Sequence, residues 1–145
     1  MKQLTNSILM IRPVSFRMNE QTAVNNYYQH NLKHLSAQEI QLKALAEFDG
    51  FVAKLREAGV NVIVIEDTLV PSTPESIFPN NWISFHSTGK VGVYPMFAEN
   101  RRLERRDDIF DTLEEKGFTI SEIIDYSSAE KEDIFLEATG SIVLD

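Results

Sequence analysis

The chain has 145 residues, so one compact domain is the default, and 43% hydrophobic with 25% charged residues suits a globular protein. A formal net charge of −8 repels phosphate backbones and argues against a nucleic-acid partner. With no cysteine, these residues supply no disulfide, no cysteine-based metal site and no cysteine nucleophile.

Ile8 to Ile11 is a short apolar run stopped by Pro13. It predicts a strand buried on both faces, and it is too short for a signal peptide or a membrane span. A cytoplasmic location without a membrane partner is therefore expected. Residues 14–34 are polar and lack a clear period, which predicts a loop, and loops of that length in compact domains are often functional.

Ser36 to Ala58 predicts the clearest helix. Ser36 and Glu39 have the spacing of a capping box, Ile40, Ala44, Phe48, Phe51 and Leu55 fall at helical intervals, and Gly59 is placed to end the helix. Val60 to Ile65 is β-branched and predicts a buried strand. Pro71, Pro74 and Pro79 mark a loop.

Trp82–His86 and Val91–Tyr94 predict a hairpin around Ser87-Thr88-Gly89-Lys90. Asn100–Lys116 predicts a second helix with Leu103, Ile109, Phe110 and Leu113 inward, followed by a strand over Phe118–Ile124. Phe135-Leu136 and Ile142-Val143-Leu144 predict two more strands.

Phe51–Asp67 aligns without a gap on Ile109–Asp125, an offset of 58 positions. Each copy ends a helix at Leu-x-x-x-Gly and runs through an apolar strand to an Asp. Such repeats stack because one unit cannot bury its own apolar face. The chain stops at a strand that has just begun, so a truncation is expected.

Three motifs lie where loops meet regular elements: Phe78-Pro79-Asn80-Asn81-Trp82, the run Tyr94–Glu104 containing Pro95-Met96 and Arg101-Arg102, and Leu136-Glu137-Ala138-Thr139-Gly140-Ser141. With Met10-Ile11-Arg12-Pro13 and Phe16–Asn26, they resemble the arginine-deiminase and amidinotransferase superfamily of pentein fold, closest to the bacterial citrulline hydrolases. The resemblance covers nearly the whole chain but about half of the family's usual length. It implies an α/β fold: residues 1–145 as part of a pentein (α/β propeller), with about two ββαβ-type modules, the start of a third, and mixed sheets.

The implied chemistry is cofactor-free hydrolysis of a C–N bond in citrulline or a related ureido or guanidino amino acid, through a Cys covalent intermediate with a His moving protons. The family's Cys and His lie in a C-terminal half absent here, so no catalytic residue is assigned and this chain alone is expected to be inactive. Ser7, Ser15 and Ser141 have no adjacent base to replace the thiolate.

The resemblance implies three substrate-binding residues. Glu137 matches a carboxylate in a Leu-Glu-Gly-Gly motif, although Ala138 and Thr139 depart from the glycines. Arg101 matches an Arg that holds the substrate carboxylate, and Asn81 stands where guanidine-processing members carry Asp. Asn has both donor and acceptor and can satisfy a neutral ureido group, which points to citrulline over arginine.

Plainer readings accompany these assignments. Arg101 with Glu104, Arg105 and the nearby acids forms the pattern of a charged helix face, and Asn80 rather than Asn81 can be the site residue. Trp82 and Phe85 are expected in the core. His86 has no identified partner, and Glu114-Glu115 and Glu130–Asp133 are expected at the surface. His30 and His34 lack a third ligand, so no metal is expected. A ribosome-binding module of the same fold is a competing class, which the acidity opposes. The expected partner is a small amino acid, and an incomplete ring with open strand edges also predicts self-association into a homo-oligomer.

Overall fold

The computed structural model describes residues 5–27, 29 and 34–138. It divides into two compact units, residues 1–78 and 79–145.

The first unit contains strand β1 (Ser7–Arg12), helix α1 (Ala37–Glu57) and strand β2 (Asn61–Glu66). Strands β1 and β2 pair in parallel, Ile8 opposite Val62 and Ile11 opposite Ile65. A parallel pair needs a crossover, which α1 provides. The helix begins at the predicted capping box: the Glu39 amide donates to Ser36 Oγ at 3.2 Å, and the Ser36 amide donates to Glu39 Oε2 at 2.8 Å. It ends before Gly59, which sits at φ +84°, where a Cβ is unfavourable.

Phe48, Val52 and Val62 form the buried cluster of this unit, with Ile8, Met10, Leu55, Val60, Val64 and Ile77 packed around it. Removing each large apolar side chain from water contributes about 1.5–3 kcal/mol. Phe51, expected inward, is exposed, and Val52 is inside instead. The inward row runs Phe48, Val52, Leu55, and Phe51 falls off it by nearly a full turn quadrant. β1 is also less buried than expected: only Ile11 of its residues is fully covered, because a two-stranded sheet leaves faces that the helix does not reach.

The second unit contains a 3₁₀ turn (Pro79–Asn81), strands β3 (Ile83–Phe85) and β4 (Lys90–Val93), helices α2 (Glu99–Arg102) and α3 (Asp107–Glu115), strand β5 (Glu122–Asp125) and a 3₁₀ segment (Ser127–Glu132). Its sheet has the order β3-β4-β5, with β3 antiparallel and β5 parallel to β4. The predicted hairpin is present, with Gly89 at φ +81° closing its turn. Trp82, Val91, Val93, Met96, Ile109 and Leu113 are buried, as read for Trp82, Ile109 and Leu113. Phe85, expected in the core, is exposed near the end of its short strand.

The second predicted helix is two helices. Residues 103–106 break it, and Leu103, expected inward, is exposed. The break follows from side chains that satisfy the end of α2: Glu104 turns back onto Arg101, and Arg105 Nε donates to the Arg102 carbonyl at 3.1 Å. Arg106 is extended at φ −113°, ψ 132°, and Asp107 and Asp108 start α3 where the helix dipole favours acids.

The last predicted strand of this unit, Phe118–Ile124, shortens to β5. Phe135-Leu136 forms no strand, although the Leu136 amide donates to the Pro95 carbonyl at 3.0 Å. Ile142–Leu144 and Thr139–Ser141 lie outside the described residues.

The internal repeat is structural. In both units a helix ends at a glycine of positive φ, Gly59 at +84° and Gly117 at +88°, and the following strand joins its sheet in parallel. The mixed α/β architecture with two sheets is consistent with a partial pentein-like domain.

Candidate functional site

Asn81, Arg101 and Glu137 are brought together in the second unit. Asn81 ends the 3₁₀ turn whose Pro79 is buried, and Trp82, the next residue, fastens that turn into the unit. Arg101 lies in α2, just after the buried Met96 and Ala98, between which Phe97 is exposed. Its Nη1 donates to Asn81 Oδ1 at 2.8 Å and stands 3.9 Å from Glu137 Oε2. Asn81 rather than the exposed Asn80 makes this contact.

Arg101 is only 3% exposed, and so is Glu104. Glu104 accepts from Arg101 Nε and Nη2, each at 3.0 Å, which makes a bidentate buried pair. Glu137 differs, with a side chain 35% exposed. The arrangement thus has a fixed, compensated cation, an amide tied to it, and an accessible carboxylate at its edge. Such a set of groups suits a small polar ligand with both donors and acceptors.

A second network holds the approach to Arg101. Glu130 accepts the Met96 amide at 2.8 Å and two bonds from Arg105, at 2.6 Å and 3.1 Å. Arg102 donates to the Met96 and Phe97 carbonyls at 2.9 Å and 3.1 Å, and its guanidinium lies over the Phe135 ring. Burial pushes the Glu130 carboxyl up, but the Arg105 hydrogen bonds, the Met96 amide and the charges of Arg105 and Arg102 outweigh it. The group stays ionised below the usual glutamate range.

Glu130 was expected at the surface. Its side chain is 11% exposed instead, because two arginines and a backbone amide converge on it. Its partners are 25 and 34 positions away, so no local pattern marks it. Glu104 carried a visible signal, its i,i+3 spacing from Arg101. The helix-face spacing is realised by Arg101 and Glu104 at i,i+3, whereas Arg106 precedes α3 and pairs with Asp108 only two positions on, at 2.9 Å. His86 does have a partner: its Nε2 lies 3.1 Å from Ser84 Oγ, which also meets Tyr94 Oη at 2.8 Å.

In the first unit the loop of residues 13–27 is tied down by Glu75. Glu75 Oε2 accepts from Asn19 Nδ2 at 2.7 Å and from Thr22 Oγ1 at 2.8 Å, all three residues being buried. The motif Phe16–Asn26 therefore has a structural function in fixing its own loop. No group of three or more His, Cys, Asp or Glu side chains among the described residues is placed to hold a metal. His30 lies outside the described residues. No described helix is long and apolar enough to cross a membrane.

The family model for N,N dimethylarginine dimethylhydrolase, eukaryotic, matches residues 12–145. The chain belongs to this pentein-type family, whose members are hydrolases acting on C–N bonds of guanidino compounds. No curated protein and no solved structure matches it.

Proposed function

We propose that the second unit carries the substrate-binding end of a cofactor-free hydrolase for citrulline or a related ureido or guanidino amino acid. The observation that carries this reading is the convergence of Asn81, Arg101 and Glu137, three residues 20 and 36 positions apart in sequence order, on one cluster. In this reading Glu137 accepts N–H groups of the reacting carbon, Asn81 contacts the same head group, and Arg101 meets the substrate carboxylate.

The chemistry of the family requires a thiolate, and these residues contain none. The chain therefore binds and orients, and a Cys from outside it attacks. A purely guanidino substrate is the second reading, and the family match favours it. A non-catalytic binding module is the third, favoured by the missing Cys.

The test is thermal unfolding of the chain with citrulline, arginine, dimethylarginine and, as control, leucine. At ligand concentrations well above Kd, a ureido or guanidino amino acid raises Tm and leucine does not. Glu137→Gln removes the increment. No increment with any of the three amino acids overturns the reading.

A further inference from the structure

Ser84 stands between two polar side chains in the second unit. Its Oγ lies 2.8 Å from Tyr94 Oη and 3.1 Å from His86 Nε2. The hairpin fixes all three, for the His86 amide donates to the Lys90 carbonyl at 3.0 Å and the Tyr94 amide to the Trp82 carbonyl at 2.8 Å. Gly92 is opposite Ser84 in the β3–β4 register. A Cβ there would stand 2.8 Å from Tyr94 Oη and 3.0 Å from Ser84 Oγ, so glycine leaves the room in which the two hydroxyls meet. The hydrogens along this row have an order. Tyr94 is 7% exposed, and its hydroxyl hydrogen needs a protein acceptor, which Ser84 Oγ supplies. The single hydrogen of Ser84 is then directed at His86 Nε2, and the neutral imidazole carries its own on Nδ1. Ser84 is half-buried and His86 exposed, so a solute reaches both.

We propose that Ser84 is a nucleophile that takes the acyl group of an activated ester, with His86 as its general base and Tyr94 as the donor that aims its hydroxyl. The activity is separate from the proposed function and uses none of Asn81, Arg101 and Glu137. A serine hydroxyl is a weak nucleophile until a base takes its proton as it attacks. His86 Nε2 is within that reach, and the Tyr94 hydroxyl occupies one lone pair of Oγ while leaving another for the carbonyl carbon. The Oγ–C bond forms, the proton passes to His86 Nε2, and the phenolate or alkoxide of the ester leaves with the electrons of its C–O bond. Exposed His86 then gives its proton to water, and the product is an acyl ester on Ser84. Among the described residues no carboxylate pairs with His86, so the imidazole lacks the orienting acid of a complete triad. The substrate class follows: an ester whose leaving group departs as a stable anion, since an amide nitrogen needs a proton delivered in a fixed geometry.

The probe is p-nitrophenyl acetate with the 145-residue chain, read by peptide mass mapping over time. Acetyl accumulates on Ser84 at least about tenfold faster than on any other serine. His86→Gln keeps a hydrogen-bond acceptor beside Ser84 but supplies no base, and it lowers that rate at least about tenfold. Tyr94→Phe also lowers it, since the Ser84 hydrogen is no longer directed. Folding of each variant is checked by its unfolding curve. If Tyr94→Phe does not fold, the parent and His86→Gln, a change at an exposed position, decide alone. Acetylation of Ser84 no faster than that of other serines, or a rate that either folded variant leaves unmoved, overturns the proposal and leaves the proposed function standing.

Discussion

At the scale of single residues, Glu104 is the side chain whose loss is most costly. Its removal leaves the Arg101 guanidinium buried without its compensating charge. Glu104→Ala is expected to destabilise the chain by about 3–5 kcal/mol in urea unfolding. Leu103→Ala, its exposed neighbour, changes stability by at most ~0.5 kcal/mol. Equal effects of the two would show that the ion pair is not what holds the 103–106 turn. Met96, with no exposed surface, is the apolar counterpart. Met96→Ala leaves a cavity beneath the approach to Arg101 and costs about 2–5 kcal/mol by the same measurement.

At the scale of elements, two junctions matter. The first is the helix-to-strand turn found in both units. Gly59 and Gly117 have positive φ and open space where a Cβ would stand, so alanine there meets conformational strain rather than a clash. Gly59→Ala and Gly117→Ala should each cost about 1–2 kcal/mol in unfolding free energy, and a neutral result at either would refute the strain account.

The second junction is the clamp of Glu130 on Met96 and Arg105. Its carboxyl pKa is lowered in the folded chain relative to the unfolded one. The contribution to stability is therefore fully present above the unfolded glutamate range and disappears as pH falls through the folded value. Stability of the parent should decline on acidification below the usual glutamate range, and Glu130→Gln should flatten that decline while lowering stability at neutral pH. Parallel pH profiles for parent and variant would remove Glu130 as the source.

At the scale of the whole molecule, family membership and composition point in different directions. The chain belongs to a family of C–N hydrolases, yet none of its residues is a cysteine. The purified chain is expected to release no ammonia from citrulline or arginine above a buffer blank, while still binding one of them. Turnover by the 145 residues alone would require a nucleophile other than a thiolate.

Much of the fold was legible locally. The capping box, the glycine at each helix end, the hairpin turn and the offset of 58 between the two units are short-range patterns, and backbone sterics and hydrogen bonding act on them within a few residues. The same holds for the three motifs that carry Asn81, Arg101 and Glu137, since their residue types and spacing stand in the sequence itself.

What the sequence could not decide was which charges meet. The coverage of Glu130 depends on the Met96 amide and on Arg105, 34 and 25 positions away. The direction of the Asn81 amide depends on Arg101, 20 positions on, and the fixity of Arg101 depends on burial with Glu104. Side-chain patterns encode where a helix or strand forms. Only the packed chain brings distant charges to one place and removes the water that would otherwise screen them, and there each polar group takes the role its neighbours leave it.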